Sequence, residues 1–206
     1  MKRIALLLAA ASLLLATSDS KLSERQRAMH VLDRLAFGAR PGDVDRVLSI
    51  GVDAWIEQQL HPEKIADRVL EARLAQYETL RMSTADIGKQ FVAPLMEARA
   101  AAKKSGAADP RPNLLLTPES RPRRLMTELQ SQRILRAAES ERQLNEVLVD
   151  FWMNHFNVFA GKGADRFLLT EYERDTIRPR IFGRFEDLLR ATAKSPAMLF
   201  YLDNAR

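Results

Sequence analysis

The chain has 206 residues, 46% of them hydrophobic and 29% charged, with a formal net charge of +5 and no cysteine. That composition excludes collagen-like, low-complexity, disulfide-scaffold and wholly disordered classes, and it leaves room for one or two domains of roughly 100–200 residues each. Without cysteine, stability outside the reducing cytosol has to come from packing.

The first eighteen residues differ in kind from the rest. Met1-Lys2-Arg3 is a basic start, Ile4 to Ala16 is apolar except for Ser12, and Ala16-Thr17-Ser18 supplies the small residues a signal peptidase needs. Residues 1–18 are therefore read as a secretory signal peptide cut after Ser18, with Ser20 as the alternative, and the mature protein as periplasmic or secreted. The apolar run falls short of the roughly 20 residues that cross a bilayer, so no transmembrane span is expected once the signal is removed. Its removal takes Lys2 and Arg3 with it and lowers the net charge from +5 to +3.

The elements that follow are helical. Ser23 caps a helix that carries Met29, Val31, Leu32 and Leu35 and stops at Gly38. Pro41-Gly42-Asp43 begins a second, with Val44, Val47 and Leu48, which Gly51 closes. Val52, Trp55, Ile56 and Leu60 make a third, ended by His61-Pro62. A longer helix is predicted from about Glu63 to Leu80, on a stripe of Ile65, Val69, Leu70, Leu74 and Tyr77. Ser83 or Thr84 caps another, which carries Ile87, Phe91 and Leu95 towards Ala102 and which Pro94 should kink.

A stretch of helix breakers around Asp109-Pro110-Arg111-Pro112-Asn113 sets a linker at 105–117, between an N-terminal helical subdomain at 19–104 and a C-terminal one at 118–206. Leu114-Leu115-Leu116 is expected to dock back onto a core. No run of alternating β-branched residues occurs, so the fold is read as all-α, an irregular multi-helix bundle with no sheet.

The second half holds the more informative residues. A helix from Glu141 to about Phe156 sets Leu144, Leu148, Phe151 and His155 along one line, and Glu146, Asp150 and Asn154 along the next. Trp152 and Phe156 form an aromatic edge. This helix is read as central, with His155 on its apolar stripe and its polar atoms in need of partners. Gly161-Lys162-Gly163 reads as an interhelical turn ahead of a helix from about Asp165 that Pro179 stops. In it, Glu171 with Arg174 and Asp175 with Arg178 are solvated pairs; alternatively Glu173 and Arg178 turn inward to meet Asp150 and His155. A helix with Phe182, Phe185, Leu188 and Leu189 follows, and then one capped by Ser195-Pro196 that carries Met198, Leu199 and Leu202.

Asp150, Asn154, His155, Glu173 and Arg178 are thus the candidate polar site. His30, His61 and His155 share no ligand spacing, so neither a metal nor a cofactor is expected from this chain. No Gly-x-Ser-x-Gly elbow marks a nucleophile. Arg121, Arg123 and Arg124, followed by Arg133 and Arg136, are the densest basic cluster, and the first three are the anion-binding candidates. Elsewhere basic and acidic residues interleave, so no nucleic-acid partner is expected; lipid headgroups or acidic polysaccharide suit an exported chain better, and a plain solvated face is the alternative.

Five segments together resemble one family. They are His30-Val31-Leu32-Asp33-Arg34-Leu35-Ala36-Phe37-Gly38 with Pro41-Gly42; Trp55-Ile56-Glu57; Phe151-Trp152-Met153-Asn154-His155-Phe156; Glu171-Tyr172-Glu173-Arg174-Asp175-Thr176-Ile177-Arg178-Pro179; and Ser195-Pro196-Ala197-Met198-Leu199-Phe200-Tyr201-Leu202-Asp203-Asn204. They are similar to the N-terminal half of the domain of unknown function 1800 family, large, bacterial and commonly exported. Arg180 stands where similar sequences often carry His, which removes an imidazole from any shared site. The resemblance implies a longer protein, with a second half bearing Asn-Glu-Asn, Arg-Glu-Leu and Glu-Leu-His signatures, so the C-terminal subdomain is read as truncated and the chain as a fragment. It also implies a partner, an exported sulfatase-like protein encoded nearby. The first functional reading is a cell-envelope binding or structural module. The second is part of a hydrolase-like enzyme, with His155 as acid or base, Asp150 orienting it, and Glu173 with Arg178 holding an anionic substrate. The third is a binder of anionic polymer through the face from Arg121 to Arg136.

Overall fold

Reciprocal capping starts the first helix, α1 (Glu24–Leu35): Ser23 Oγ accepts the Gln26 N–H at 3.3 Å, and Gln26 Oε1 accepts the Ser23 N–H at 2.8 Å. The computed structural model describes residues 22–106 and 116–205, so the segment read as a signal peptide at 1–18 and most of that read as a linker at 105–117 lie outside the described residues. Helices α2 (Asp43–Ile50) and α3 (Val52–Leu60) meet at Gly51, whose φ of 91° few side chains tolerate. The three helices close on Ala28, Val31, Leu32, Val47, Val52 and Trp55. Met29, expected on the apolar stripe, is exposed; Ala28 takes the buried place one residue earlier.

The single helix expected from Glu63 to Leu80 does not form. The chain makes a 3-10 turn at Pro62–Lys64, a short α4 (Arg68–Leu74) and a second 3-10 turn at Glu78–Arg81. Asp67 interrupts it. Its buried carboxylate accepts hydrogen bonds from Ser140 Oγ at 2.5 Å and the Glu141 N–H at 3.4 Å, a tertiary role that fixes its backbone outside the helix. Val69, placed on the stripe by spacing, is 77% exposed as a result.

Ser83 caps α5 (Thr84–Ile87), which continues through a π-helical turn at Gly88–Val92 into α6 (Ala93–Lys104). The widened turn sits just ahead of Pro94, whose ring would clash with the carbonyl four residues back in an ordinary helix. The same device recurs at Tyr172–Ile177, a π segment just ahead of Pro179. There the Arg180 Nη1 donates to the carbonyls of Asp175 and Thr176 at 2.7 and 2.9 Å, groups that the proline leaves short of a donor.

After the buried Leu116 come α7 (Arg123–Glu139), α8 (Gln143–His155), α9 (Leu169–Glu171) leading into the second π segment, α10 (Phe185–Lys194) and α11 (Pro196–Tyr201). No strand occurs among the described residues. Residues on both sides of the linker share their packing and polar contacts. Ile87, Phe91 and Leu95 form one core with Leu116, Leu125 and Phe167. Gln59 accepts the Leu144 N–H at 3.1 Å and donates to the Glu141 carbonyl at 2.9 Å; Glu128 accepts from the Thr79 N–H and hydroxyl at 3.0 and 2.8 Å.

Candidate functional site

The face that α8 turns inward is the expected one only in its first half, where Leu144 is buried and Leu148 packs on the core. Leu144, Glu146, Val149 and Met153 are buried, whereas Phe151 is 54% exposed and His155 is exposed. A carboxylate decides the rotation. Glu146, only 5% exposed, can be buried because guanidinium groups meet it. Arg178 Nη1 donates to its two oxygens at 2.9 and 2.8 Å, Asn145 Nδ2 to its Oε1 at 3.1 Å, and Arg136 Nη1 to the same oxygen at 3.4 Å.

From Arg178 the network continues into α7. Arg178 Nη2 donates to Glu173 Oε1 at 2.8 Å, and Gln132 Nε2 donates to that same oxygen at 2.6 Å. Gln132 Oε1 accepts from Arg136 Nε at 2.6 Å, which closes the ring. Glu173 Oε2 is buried without a hydrogen-bond partner; Arg133 Nε stands 3.9 Å from it. Burial works against the charge of Arg178, but Glu146 and Glu173 outweigh it and its pKa is raised. Arg136 goes the other way: burial, and then repulsion from Arg178, lower its pKa.

The candidate polar site is therefore joined only in part. Glu173 and Arg178 turn inward and pair with each other, but the carboxylate they meet on α8 is Glu146. Asp150 lies at the margin, held by Arg133 Nη2 at 2.8 Å and by Asn154 Nδ2 at 3.1 Å. His155 stands apart from all four. Its ring lies parallel to Phe151 at 6.0 Å between centroids and edge-on to Trp152 and Phe156 at 5.5 and 4.8 Å, so the buried apolar setting expected for it gives way to a surface aromatic one. Glu146 and Gln132 were missed as site residues, and Arg136, read with the basic cluster, belongs to this ring instead. The Gln132–Arg136 spacing of four along one helix face was the available signal.

Two cavities flank the network. One of about 280 Å³ lies against Leu74, Leu80, Leu129, Gln132, Glu173 and Arg136. The other, about 210 Å³, lies against Phe37, Ile134, Val149, Arg133 and Asp150. Arg178 lines both.

The aromatic edge extends beyond α8. Trp152 packs on Phe156 at 5.6 Å and reaches Phe185 of α10 at 5.8 Å. Of the four apolar residues that the sequence places in this helix, Phe182, Phe185 and Leu189 are 40, 56 and 44% exposed and only Leu188 is buried. The amphipathic spacing is real, but the inward line of α10 runs through Leu188 and Thr192.

Of the basic cluster, Arg124 is committed to Glu128 at 2.7 Å and Glu78 at 2.8 Å. Arg121 and Arg123 are exposed and, with Arg166, wall a cavity of about 470 Å³ beside Met126 and Gly161. Among the described residues none of these three pairs with a carboxylate. Lys162 of the glycine turn donates to the Tyr201 carbonyl at 2.5 Å and to Asp203 at 2.8 Å, a structural clamp. Among the described residues no group of three or more His, Cys, Asp or Glu side chains could hold a metal, and no helix is long and apolar enough to cross a membrane.

A family model described as "Protein of unknown function (DUF1800)" matches residues 30–206. No curated protein and no solved structure matches the chain.

Proposed function

This chain belongs to the DUF1800 family, proteins of unknown function, and on that premise we propose that it is an exported helical module of the cell envelope that binds another folded protein through the aromatic face of α8 and α10. The observation that carries the reading is the exposure of Phe151 and Phe185 against the half-buried Trp152, with the exposed His155 stacked on Phe151 and the exposed Leu189 one turn along α10. Large apolar side chains grouped on a surface mark a binding face, and aromatic residues are the ones enriched at protein interfaces. The surroundings favour a protein over an anionic membrane. Arg184, Glu186 and Arg190 form a mixed-sign ion network beside the aromatic face, the polar rim of a protein interface and not the one-sided basic fringe of a lipid-binding helix. The buried Arg–Glu ring holds α7, α8 and the second π segment in one arrangement, and so fixes the face.

The partner proposed first is the exported sulfatase-like protein. The test is to mix the two purified proteins and follow the complex by light scattering after gel filtration. A stable complex that Phe151→Ser with Phe185→Ser abolishes, while melting stays unchanged, is the expected result. No complex, or one indifferent to both substitutions, overturns the reading.

A second reading rests on the cavity walled by Arg121, Arg123 and Arg166, which suits an anionic polymer. Retention on heparin should then fall steeply with salt, as release of condensed counterions requires, and Arg121→Glu with Arg123→Glu should remove it. Retention unchanged by both reversals overturns it.

A further inference from the structure

We infer that the cavity of about 540 Å³ along the helix that runs from α5 into α6 is a groove for a single-chain anionic amphiphile, a fatty acid, whose carboxylate meets Arg99 and Arg166.

The groove follows one face of a continuous rod. Thr84, Gly88, Val92, Met96 and Arg99 line it at steps of four, four, four and three, and α5, the π turn at Gly88–Val92 and α6 follow one another without a gap. Steps of four outrun the roughly 3.6 residues of an α-turn, and the widened turn takes up part of the excess. From Thr84 to Arg99 is fifteen residues, roughly 20 Å at about 1.5 Å each, so a cavity of this volume is a trough. An extended alkyl chain has that shape.

The floor of the trough is apolar. Ile87, Leu95 and Phe167 line it and are buried, while Met96 and Arg99 are exposed at its rim. Gly88 leaves room above that floor. Its backbone angles are helical, so the conformation does not require glycine, and a helix disfavours one. A Cβ at this position would meet nothing within 4 Å, so no neighbour requires glycine either. What the missing side chain keeps open is the groove.

Charge then sets the head of the ligand. Arg99 and Arg166 are the charged residues of the wall, and among the described residues no acid lines it. Arg99 has no hydrogen-bond or ion-pair partner among the described residues. Arg166 donates Nε to the Gly163 carbonyl at 3.2 Å, and its two terminal nitrogens have no partner among them. Guanidinium groups in that state grip a carboxylate with paired donors. The volume falls within the usual range for ligand sites, and an apolar trough with two cations on its wall selects an anionic head over a neutral or cationic one.

Laurate is the probe, with octanoate to shorten the chain and dodecyltrimethylammonium to reverse the head at equal chain length. Titration calorimetry of the whole chain, below the critical micelle concentrations, should show saturable laurate binding in the micromolar range. Octanoate should bind on the order of a hundredfold more weakly, since each methylene taken out of water is worth about fourfold, and the cation should not bind. Backbone amide NMR shifts should centre on Gly88, Val92 and Phe167. Gly88→Trp fills the groove and should abolish laurate binding with the melting temperature unchanged or raised. Arg99→Glu, at an exposed site, should weaken laurate by about tenfold or more. Laurate bound no more tightly than octanoate, equal binding of the cation, or laurate binding untouched by either substitution each overturns the inference. So does laurate binding that appears only after Leu114→Ser with Leu115→Ser, which would make the chain's own leucines the occupant, and so does cosedimentation with anionic vesicles without saturable laurate binding.

Discussion

Arg178 reaches across thirty-two residues of sequence to hold both carboxylate oxygens of Glu146, at 2.9 and 2.8 Å. The pair sets which side of α8 faces the core, and through Glu173 it ties that helix to the π segment ahead of Pro179. A buried ion pair is weak evidence of net stabilisation, since both charges lose their water; removing one partner is a different matter.

Arg178→Ala leaves Glu146 and Glu173 buried without their shared cation, and should cost about 3–5 kcal/mol in urea unfolding. Arg178→Lys should recover little of it, because an ammonium cannot reproduce a planar fork serving two carboxylates. A loss below about 1 kcal/mol for the alanine variant would show that the ring does not hold the helices.

The rotation of α8 has its own signature. His155→Ala removes a surface ring that touches Phe151, Trp152 and Phe156, and should change stability by no more than about 1 kcal/mol. Met153→Ala, two residues earlier but on the buried side, should cost about 2–5 kcal/mol. Equal losses in thermal melts would mean that His155 is buried after all.

Asp165 is fully buried, and neither of its carboxylate oxygens has a partner. Burial raises its pKa above the ordinary 3.8, against the opposing pull of Lys162. A carboxyl with a raised folded pKa contributes its stability below the ordinary value, and that contribution is lost as pH rises through the folded one. Asp165→Asn should therefore stabilise the protein at neutral pH, by about 1 kcal/mol, and flatten the decline in melting temperature on going from acid to neutral pH. A destabilised variant with the decline intact would refute this.

Tyr172 donates its hydroxyl to the Phe156 carbonyl at 2.7 Å, and burial pushes its pKa up to about 12. The unfolded chain ionises this phenol near the ordinary 10, so its contribution is intact below that pH and is lost between about 10 and 12. Phenolate absorbance should show one of the three tyrosines titrating late, and Tyr172→Phe should reduce the loss of stability across that window.

Much of the local architecture was readable before any tertiary contact was known. Ser23, Ser83 and Ser195 cap the helices that their spacing to the next polar or apolar residue implied, and Gly51 divides two short helices where the periodicity restarts. Pro94 disturbs its helix as expected, though by widening one turn and not by a break. The site was readable by halves. The inward turn of Glu173 and Arg178 was one of two open alternatives for the densely charged segment, but their meeting with Glu146 was not, because Glu146, Asp150 and Asn154 lie on one line and spacing alone ranks none above the others.

Sequence alone determined the helical class, the caps and most of the breaks, because each follows from interactions within one or two turns of the chain. Only the tertiary structure decided which stripe was buried, that Asp67 would divide a helix, and that His155 would stand on the surface. Those outcomes turn on where a buried charge finds its partner, and the partners lie 32 residues apart for Glu146 with Arg178, 41 for Gln132 with Glu173 and 73 for Asp67 with Ser140. Periodicity reports what is apolar on a helix; the desolvation of a few carboxylates, each met by a distant donor, chose the face that turns inward.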